Sequence, residues 1–322
     1  MSNKWTQNNI PNMSGKVVVI TGANSGLGLE STKALAAKGA TVVMACRNLS
    51  KAEKAKAEVL RELPNAKLDV MQLDNASLES VRAFADAFKA KYDRLDILLN
   101  NAGVMAIPRQ ETADGFEMQL GVNHLGHFSL TGLLLDVITS TPGARVHNTS
   151  SSAAFNGSIN FDDLMGEKEY GRWAAYGQSK LANVFFANEL NRRLQAAEHD
   201  TISNSSHPGL VMTNLQSNSL EKSGNSLLER ALYSVIAPLL AQDIGMGVLP
   251  QLYASTAPEA KGGAFYGPKT FRVRGYPAEQ HANHAADDAA ALNRFWEISE
   301  DLTGVHYSFH NKHNQKIANL GD

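Results

Sequence analysis

Cysteine is almost missing from this chain. Cys46 is the single one among 322 residues, which excludes an internal disulfide and any metal centre built on several thiolates. An excess of one charge is missing too. Thirty basic residues face 32 acidic ones for a formal net charge of −2, with no long basic run, so neither nucleic acid nor an anionic membrane is an implied partner. No apolar run is long enough to span a bilayer; the most hydrophobic late stretch, around Val235–Ala241, is short and contains Pro238. Met1 to Pro11 lacks the apolar centre of a signal peptide. No Gly/Ser-rich, Pro-rich or charged linker separates two halves. The remaining profile, 43% hydrophobic and 19% charged, is that of an ordinary globular protein. These absences predict one cytoplasmic domain over 1–322, with a core at about 15–267 and a helical C-terminal extension at 268–322.

What is present begins with a strand, a glycine turn and a helix. Val17-Val-Val-Ile20 is the β-branched run of a strand buried on both faces. It leads into Thr21-Gly22-Ala23-Asn24-Ser25-Gly26-Leu27-Gly28, followed by a helical pattern through Lys38. Glycines there allow a tight turn and let a phosphate approach the amides at the helix start, where the helix dipole favours an anion. The spacing is Gly-x-x-x-Gly-x-Gly, unlike the Gly-x-Gly-x-x-Gly of most dinucleotide folds. Thr41–Arg47 forms a second strand. A dinucleotide site commonly places an acid at its end for the ribose of NAD; here Cys46 and Arg47 stand instead, and a guanidinium suits a 2′-phosphate. NADP is therefore favoured over NAD. Leu68–Asp74 is the third strand, with Asp74 placed to meet the adenine amino group, and Leu95–Asn100 the fourth, ending in Asn100-Asn101-Ala102-Gly103. Alternating strands and helices predict a Rossmann-type, doubly wound α/β fold: a parallel sheet with helices on both faces.

Residues 114–138 read as one long helix carrying Asn123, His124 and His127. The two histidines lack a carboxylate or cysteine at ligand spacing, so no metal site is expected. Ala144–Ser152 is a fifth strand ending in three hydroxyls. Residues 174–194 form a proline-free helix on which Tyr176 and Lys180, four apart, share a face. A phenol titrates near ~10 and a lysine near ~10.4, but an ammonium beside the phenol favours the tyrosinate and brings it toward acid–base work near neutrality. Tyr-x-x-x-Lys alone is also an ordinary helical pair. Thr201–His207 is the sixth strand, followed by Pro208-Gly209, and Gly263–Gly267 reads as the last strand. Strands five and six are oddly polar for the middle of a parallel sheet: His147, Ser203 and Ser205 are the residues in question, and a buried unpaired hydroxyl costs about 1–3 kcal/mol. The tail holds two histidine clusters, His281/His284 and His306/His310/His313, and the first, in His281-Ala-Asn-His-Ala-Ala-Asp-Asp, fits a solvated helix start better than a metal site.

Taken in order, Thr-Gly-x-x-x-Gly-x-Gly at 21–28, Asn-Asn-Ala-Gly at 100–103, Ser151, Tyr176-x-x-x-Lys180 and Pro208-Gly209 resemble the short-chain dehydrogenase/reductase family, from about Gly15 to about Gly267. Glu111–Phe128 and Phe295–Gly304 resemble its branch of retinol dehydrogenases and protochlorophyllide reductases. The resemblance implies that Tyr176 exchanges the proton with a carbonyl or alcohol, and that Lys180 lowers its pKa and holds the nicotinamide ribose. It implies that Ser151 bonds the substrate oxygen, Asn123 anchors a water of a proton relay, and Thr213 meets the carboxamide. Gly22, Asn24, Ser25, Gly26, Leu27, Gly28, Arg47, Asp74, Asn101, Ala102, Gly103, Pro208 and Gly209 would line the cofactor with Tyr176 and Lys180. The implied activity is an NADP(H)-dependent oxidoreductase of a lipophilic, retinal-like carbonyl or alcohol, with a homodimer as a family habit. A silent NADP(H)-sensing protein is the alternative from another class. Light-driven protochlorophyllide reduction is disfavoured, since its cysteine-bearing turn is missing. An insert at 156–173 is expected to rim the pocket, and an amphipathic stretch at 214–243 to cover it.

Overall fold

The computed structural model describes residues 4–211 and 241–309. Its centre is an eight-stranded sheet in the order β3-β2-β1-β4-β5-β6-β7-β8. The strands are β1 (Val17–Thr21), β2 (Thr41–Cys46), β3 (Lys67–Gln72), β4 (Ile97–Asn100), β5 (Arg145–Thr149), β6 (Ile202–Ser206), β7 (Phe265–Thr270) and β8 (Arg274–Gln280). The first seven are parallel and β8 is antiparallel to β7. Strand order reverses between β1 and β4, and the crevice beyond their carboxyl ends is where such sheets hold ligands.

The helices are α1 (Gly26–Ala37), α2 (Leu49–Glu62), α3 (Leu78–Lys91), α4 (Met118–Leu120), α5 (Gly126–Leu133), α6 (Leu135–Ser140), α7 (Arg172–Ala196), α8 (Ile244–Gly247), α9 (Leu249–Thr256) and α10 (Ala289–Thr303). Two apolar layers clasp the sheet. On one face Val18, Ile20, Val42 and Leu99 pack with Leu35 of α1 and Leu252 of α9. On the other, Val19, Leu98 and Val146 pack with Phe88 of α3, Phe128 of α5 and Leu190 of α7. The doubly wound α/β fold is as expected. No helix among the described residues is long and apolar enough to cross a membrane.

Three local expectations give way. The stretch at 114–138 is not one helix: Glu117 caps Gln119 and Leu120 with its carboxylate, a π turn occupies Gly121–Leu125, and the run breaks at Leu134. Gly263–Gly267 does not hold the last strand, because the chain turns back as β8. The extension at 268–322 therefore opens as sheet before α10, with Pro268 opposite Pro277. Prolines are tolerated there because they lie at the sheet's edge, where β6 pairs β7 only at Phe265 and Tyr266. The hairpin tip is strained: Phe271 and Arg272 have φ of 52° and 60°, and Val273 N–H returns to Thr270 O at 3.0 Å, the arrangement of a type I′ turn that normally takes Asn-Gly.

The polar strands find much of their satisfaction in each other. His147 bonds Asn204 at 2.9 Å and Ser206 at 3.0 Å, Asn204 donates to Ala254 O, and Thr149 donates to Gln251, which donates to Ser31. On the opposite face Asn100 donates to Asn148 and Thr131. The hydroxyls of Thr201, Ser203 and Ser205 have no partner among the described residues.

Candidate active site

Tyr176, Lys180, Asn123, Gly103 and the end of β5 meet at the carboxyl edge of the sheet, beside the strand-order reversal. Lys180, on the first turns of α7, is buried; its Nζ lies 5.8 Å from the centre of the Tyr176 ring and donates to Thr149 O at 3.1 Å. No carboxylate pairs with it among the described residues, and burial alone pushes its pKa down to about 8. Ser150 Oγ donates to Lys180 O at 2.7 Å and Asn183 donates to Thr149 O at 3.0 Å, so β5 and α7 are fastened together at this point. Ser151 caps the short turn Ser152–Asn156, accepting from Ala153 N–H at 3.3 Å. Acting there as acceptor, its hydroxyl keeps its proton for another partner.

Asn123 is tied into the protein through its side chain. Its amide hydrogens go to Val104 O and Ser179 Oγ, both at 2.9 Å, and its Oδ1 accepts from Val104 N–H at 2.8 Å. With both hydrogens committed to the protein, the side chain holds the 103–104 loop against α7. Gly103 makes the closeness possible: a Cβ there would lie 2.9 Å from Asn123 Oδ1 and 3.3 Å from Lys180 Nζ.

A second network reaches the glycine turn and was not anticipated. Thr21 Oγ1 accepts from Asn101 N–H and Ala102 N–H, both at 2.9 Å, so its own proton goes to His127 Nε2 at 2.8 Å. His127 must then carry its hydrogen on Nδ1, which faces Asn123 O at 3.0 Å. Burial holds His127 near about 4, and therefore neutral. The four-residue spacing of Asn123 and His127 was the available signal. His124, by contrast, turns to Ser299 at 3.0 Å, so the pair does not converge as ligands.

The cofactor candidates fall along one path. Ser25 heads α1 without a side-chain cap, leaving the amides of Gly26, Leu27 and Gly28 free of helical partners and suited to an anion. A Cβ on Gly28 would stand 2.3 Å from Gly22 O, so the turn is closed as tightly as backbone allows. Asn101 Nδ2 braces it by donating to Thr21 O at 2.9 Å. Asn24 lies partly buried in the same turn, and Arg47 is exposed just past β2. Cys46 beneath them is buried, which raises its thiol to about 11 and leaves it inert. One Asp74 oxygen accepts from Ala76 N–H at 3.0 Å within its own turn. Pro208 O accepts from Gln242 at 2.7 Å, and Gly209 N–H donates to His207 Nδ1 at 3.2 Å. Thr213, His310, His313 and 214–240 of the covering stretch lie outside the described residues. These groups fit a dinucleotide: an anion cradle at one end, a buried cation and phenol at the other.

The insert at 156–173 is pinned to the 107–119 segment and to α7. Gln119 donates to Tyr170 Oη and Arg172 O, Tyr170 donates to Ile107 O, and Gln178 bonds Asn160 and Leu164. Trp173, partly exposed, stands edge-on to Tyr176 at 6.1 Å. A cavity of about 500 Å³ lies between α7 and the paired β7 and β8, lined by Val184, Phe265 and Asn283 among others, and no member of the Tyr176 cluster lines it. At its rim His281, His284 and Asp287 place ligand-type atoms within 4.8 Å of one another, all on exposed side chains.

Comparison with known proteins decides the family. The short chain dehydrogenase model matches residues 16–224. The chain belongs to that family. It is 39% identical to human retinol dehydrogenase 14 over 306 residues, covering 91% of this chain and 88% of that one. It is 51% identical to human retinol dehydrogenase 12 over 201 residues, covering 62% and 63%. A crystal structure of an uncharacterized protein from Mycobacterium paratuberculosis, 38% identical, superposes with a TM-score of 0.78 over 95% of this chain and all of that one. This short-chain dehydrogenase is thus an oxidoreductase of CH–OH and C=O groups, of the retinol dehydrogenase-like branch, and works with a nicotinamide cofactor.

Proposed function

We propose that this short-chain dehydrogenase uses NADP(H) to interconvert a lipophilic carbonyl, of the retinal type or another apolar aldehyde or ketone, and its alcohol. One observation carries the reading: a buried lysine without a counter-ion among the described residues is held beneath a buried tyrosine at the carboxyl edge of the sheet. A buried cation unpaired by protein is costly, and it favours a neighbouring anion. In the direction of reduction Tyr176 gives its proton to the carbonyl oxygen, and the Lys180 ammonium stabilises the tyrosinate left behind. In oxidation Tyr176 takes the alcohol proton. Ser151 donates to the substrate oxygen and so resists the build-up of charge there. Lys180 and Asn123, meeting across Gly103, set the distance between tyrosine and cofactor site. The bound nicotinamide supplies or accepts the hydride.

The preference for NADP rests on Arg47 and on the lack of an acid at the end of β2. The names of the relatives support a retinoid-like substrate, and the aromatic rim at Trp173 and Tyr170 suits one. The test is the Tyr176→Phe variant assayed with NADPH and a panel of retinoid and aliphatic aldehydes. Turnover is expected to vanish while NADPH binding, read by fluorescence, persists. Wild-type turnover in that variant would remove Tyr176 from the chemistry.

A further inference from the structure

Among the described residues three large apolar side chains are notably exposed: Trp173 at 40%, Leu49 at 42% and Phe271 at 92%. Phe271 sits at the outermost point of the β7–β8 hairpin. It occupies one of two successive left-handed positions, where glycine or asparagine would be at ease and a phenylalanine is strained. An aromatic held there against both backbone preference and hydration needs something apolar to enter.

The surroundings say what kind. Lys269, Arg272 and Arg274 flank Phe271, all exposed, and no acidic residue occurs from Gly262 to Ala278. None of the three pairs with a carboxylate among the described residues; Arg272 instead lies over the Phe155 ring at 4.2 Å. One exposed aromatic flanked by three exposed cations matches the boundary between anionic headgroups and acyl chains, where the cations gain from the surface potential and the ring sinks below it. The whole-chain charge balance, which implied no membrane partner, averages this local group away.

Topology places the tip. β7 is parallel to β6, so its carboxyl end lies at the same edge as Tyr176 and Ser151. The tip is bonded to the Pro-Gly turn, Leu210 N–H donating to Val273 O at 3.0 Å, and Arg272 reaches Phe155 in the turn that Ser151 caps. From these relations we infer that the Lys269–Arg274 tip docks the enzyme onto an anionic lipid surface, with the substrate end of the sheet turned toward the bilayer. The docking stands on the hairpin itself; its use, drawing an apolar substrate from lipid, rests on the function proposed above.

The experiment is flotation of the full chain with phosphatidylcholine vesicles, with and without phosphatidylserine, across a salt series. Binding is expected only with phosphatidylserine and should weaken as salt rises. Phe271→Ser should lower partitioning about tenfold, and Lys269→Ala and Arg274→Ala about fivefold each, with melting temperatures unchanged. Equal binding to both vesicle types, no binding at low salt, or variants that bind like wild type would overturn it. So would self-association that Phe271→Ser abolishes without any vesicle binding, which would give the face to a second copy. Vesicle binding is read without turnover, so its failure is distinct from a failure of the proposed reaction.

Discussion

The Lys180 ammonium lies 5.8 Å from the centre of the Tyr176 ring and 3.1 Å from Thr149 O, with no carboxylate beside it among the described residues. Such a lysine is retained at the expense of stability. Lys180→Met keeps the length of the stem and removes the charge, and should abolish turnover while making the free enzyme more stable at pH 7 by about 2 kcal/mol. The folded pKa, about 8, lies below the unfolded value of ~10.4. The unfolded chain therefore binds more protons between those values, and wild-type stability rises with pH there. The advantage of the methionine variant should shrink over the same interval. Urea unfolding of both proteins at pH 7, 8, 9 and 10 (about one-unit steps) reads this directly; equal stability at pH 7 would contradict it.

Four buried histidines set the acid limit. Burial pushes His124 down to about 3 and His127, His147 and His207 to about 4, against ~6.5 in the unfolded chain. Each is neutral when folded and takes a proton only on unfolding as the pH falls below ~6.5. Stability should therefore be complete above that pH and fall with a slope approaching about 5 kcal/mol per pH unit between roughly 6 and 4. A flat melting temperature across that range would show that the histidines are hydrated.

Thr21→Val removes one hydroxyl and strands three groups: the amides of Asn101 and Ala102 and the His127 ring. At about 1–3 kcal/mol for each unsatisfied group, partly relieved by water, a loss near ~3 kcal/mol is expected. Thr21→Ser, which restores the hydroxyl, should recover most of it.

Gly103→Ala separates geometry from stability. Its methyl would press on Asn123 Oδ1 and Lys180 Nζ, side-chain atoms that can shift by a few tenths of an ångström. The variant should fold, yet lose on the order of 10²-fold in kcat through misplacement of the lysine. Unchanged kcat would mean the lysine position is not critical.

Arg47→Asp should exchange the cofactor preference. An acid there repels a 2′-phosphate and can accept from a ribose hydroxyl, so kcat/KM with NADPH should fall while that with NADH rises. Parallel loss with both cofactors would place Arg47 elsewhere.

The sequence made much of this visible, and the reasons differ by element. β1, β2 and β4 announce themselves as short apolar runs because both faces are buried. The Tyr176–Lys180 face was legible because α7 is long and proline-free. β8 was not: Arg274-Gly-Tyr-Pro-Ala-Glu-Gln280 has the glycine and proline of a loop, and is a strand only because it lies at an edge. The π turn at Gly121–Leu125 was hidden as well, since Glu117 and His127 bond backbone groups two to four residues away, local side-chain contacts that apolar periodicity does not record. Nor could composition reveal that the Asn123 amide is spent on Val104 and Ser179.

The polar pairs of the middle strands have a consequence for how the sheet assembles. Valine-rich parallel strands are nearly interchangeable, and one could slide past another by two residues with its buried face intact. Asn100 opposite Asn148, and His147 opposite Asn204, do not permit this. A slip would strand buried amides and an imidazole against hydrocarbon, at a cost of several kcal/mol. These residues act as a key for alignment, bringing the ends of β4, β5 and β6 level, and it is on that levelled edge that Gly103, Thr149 and the Pro-Gly turn come to stand side by side.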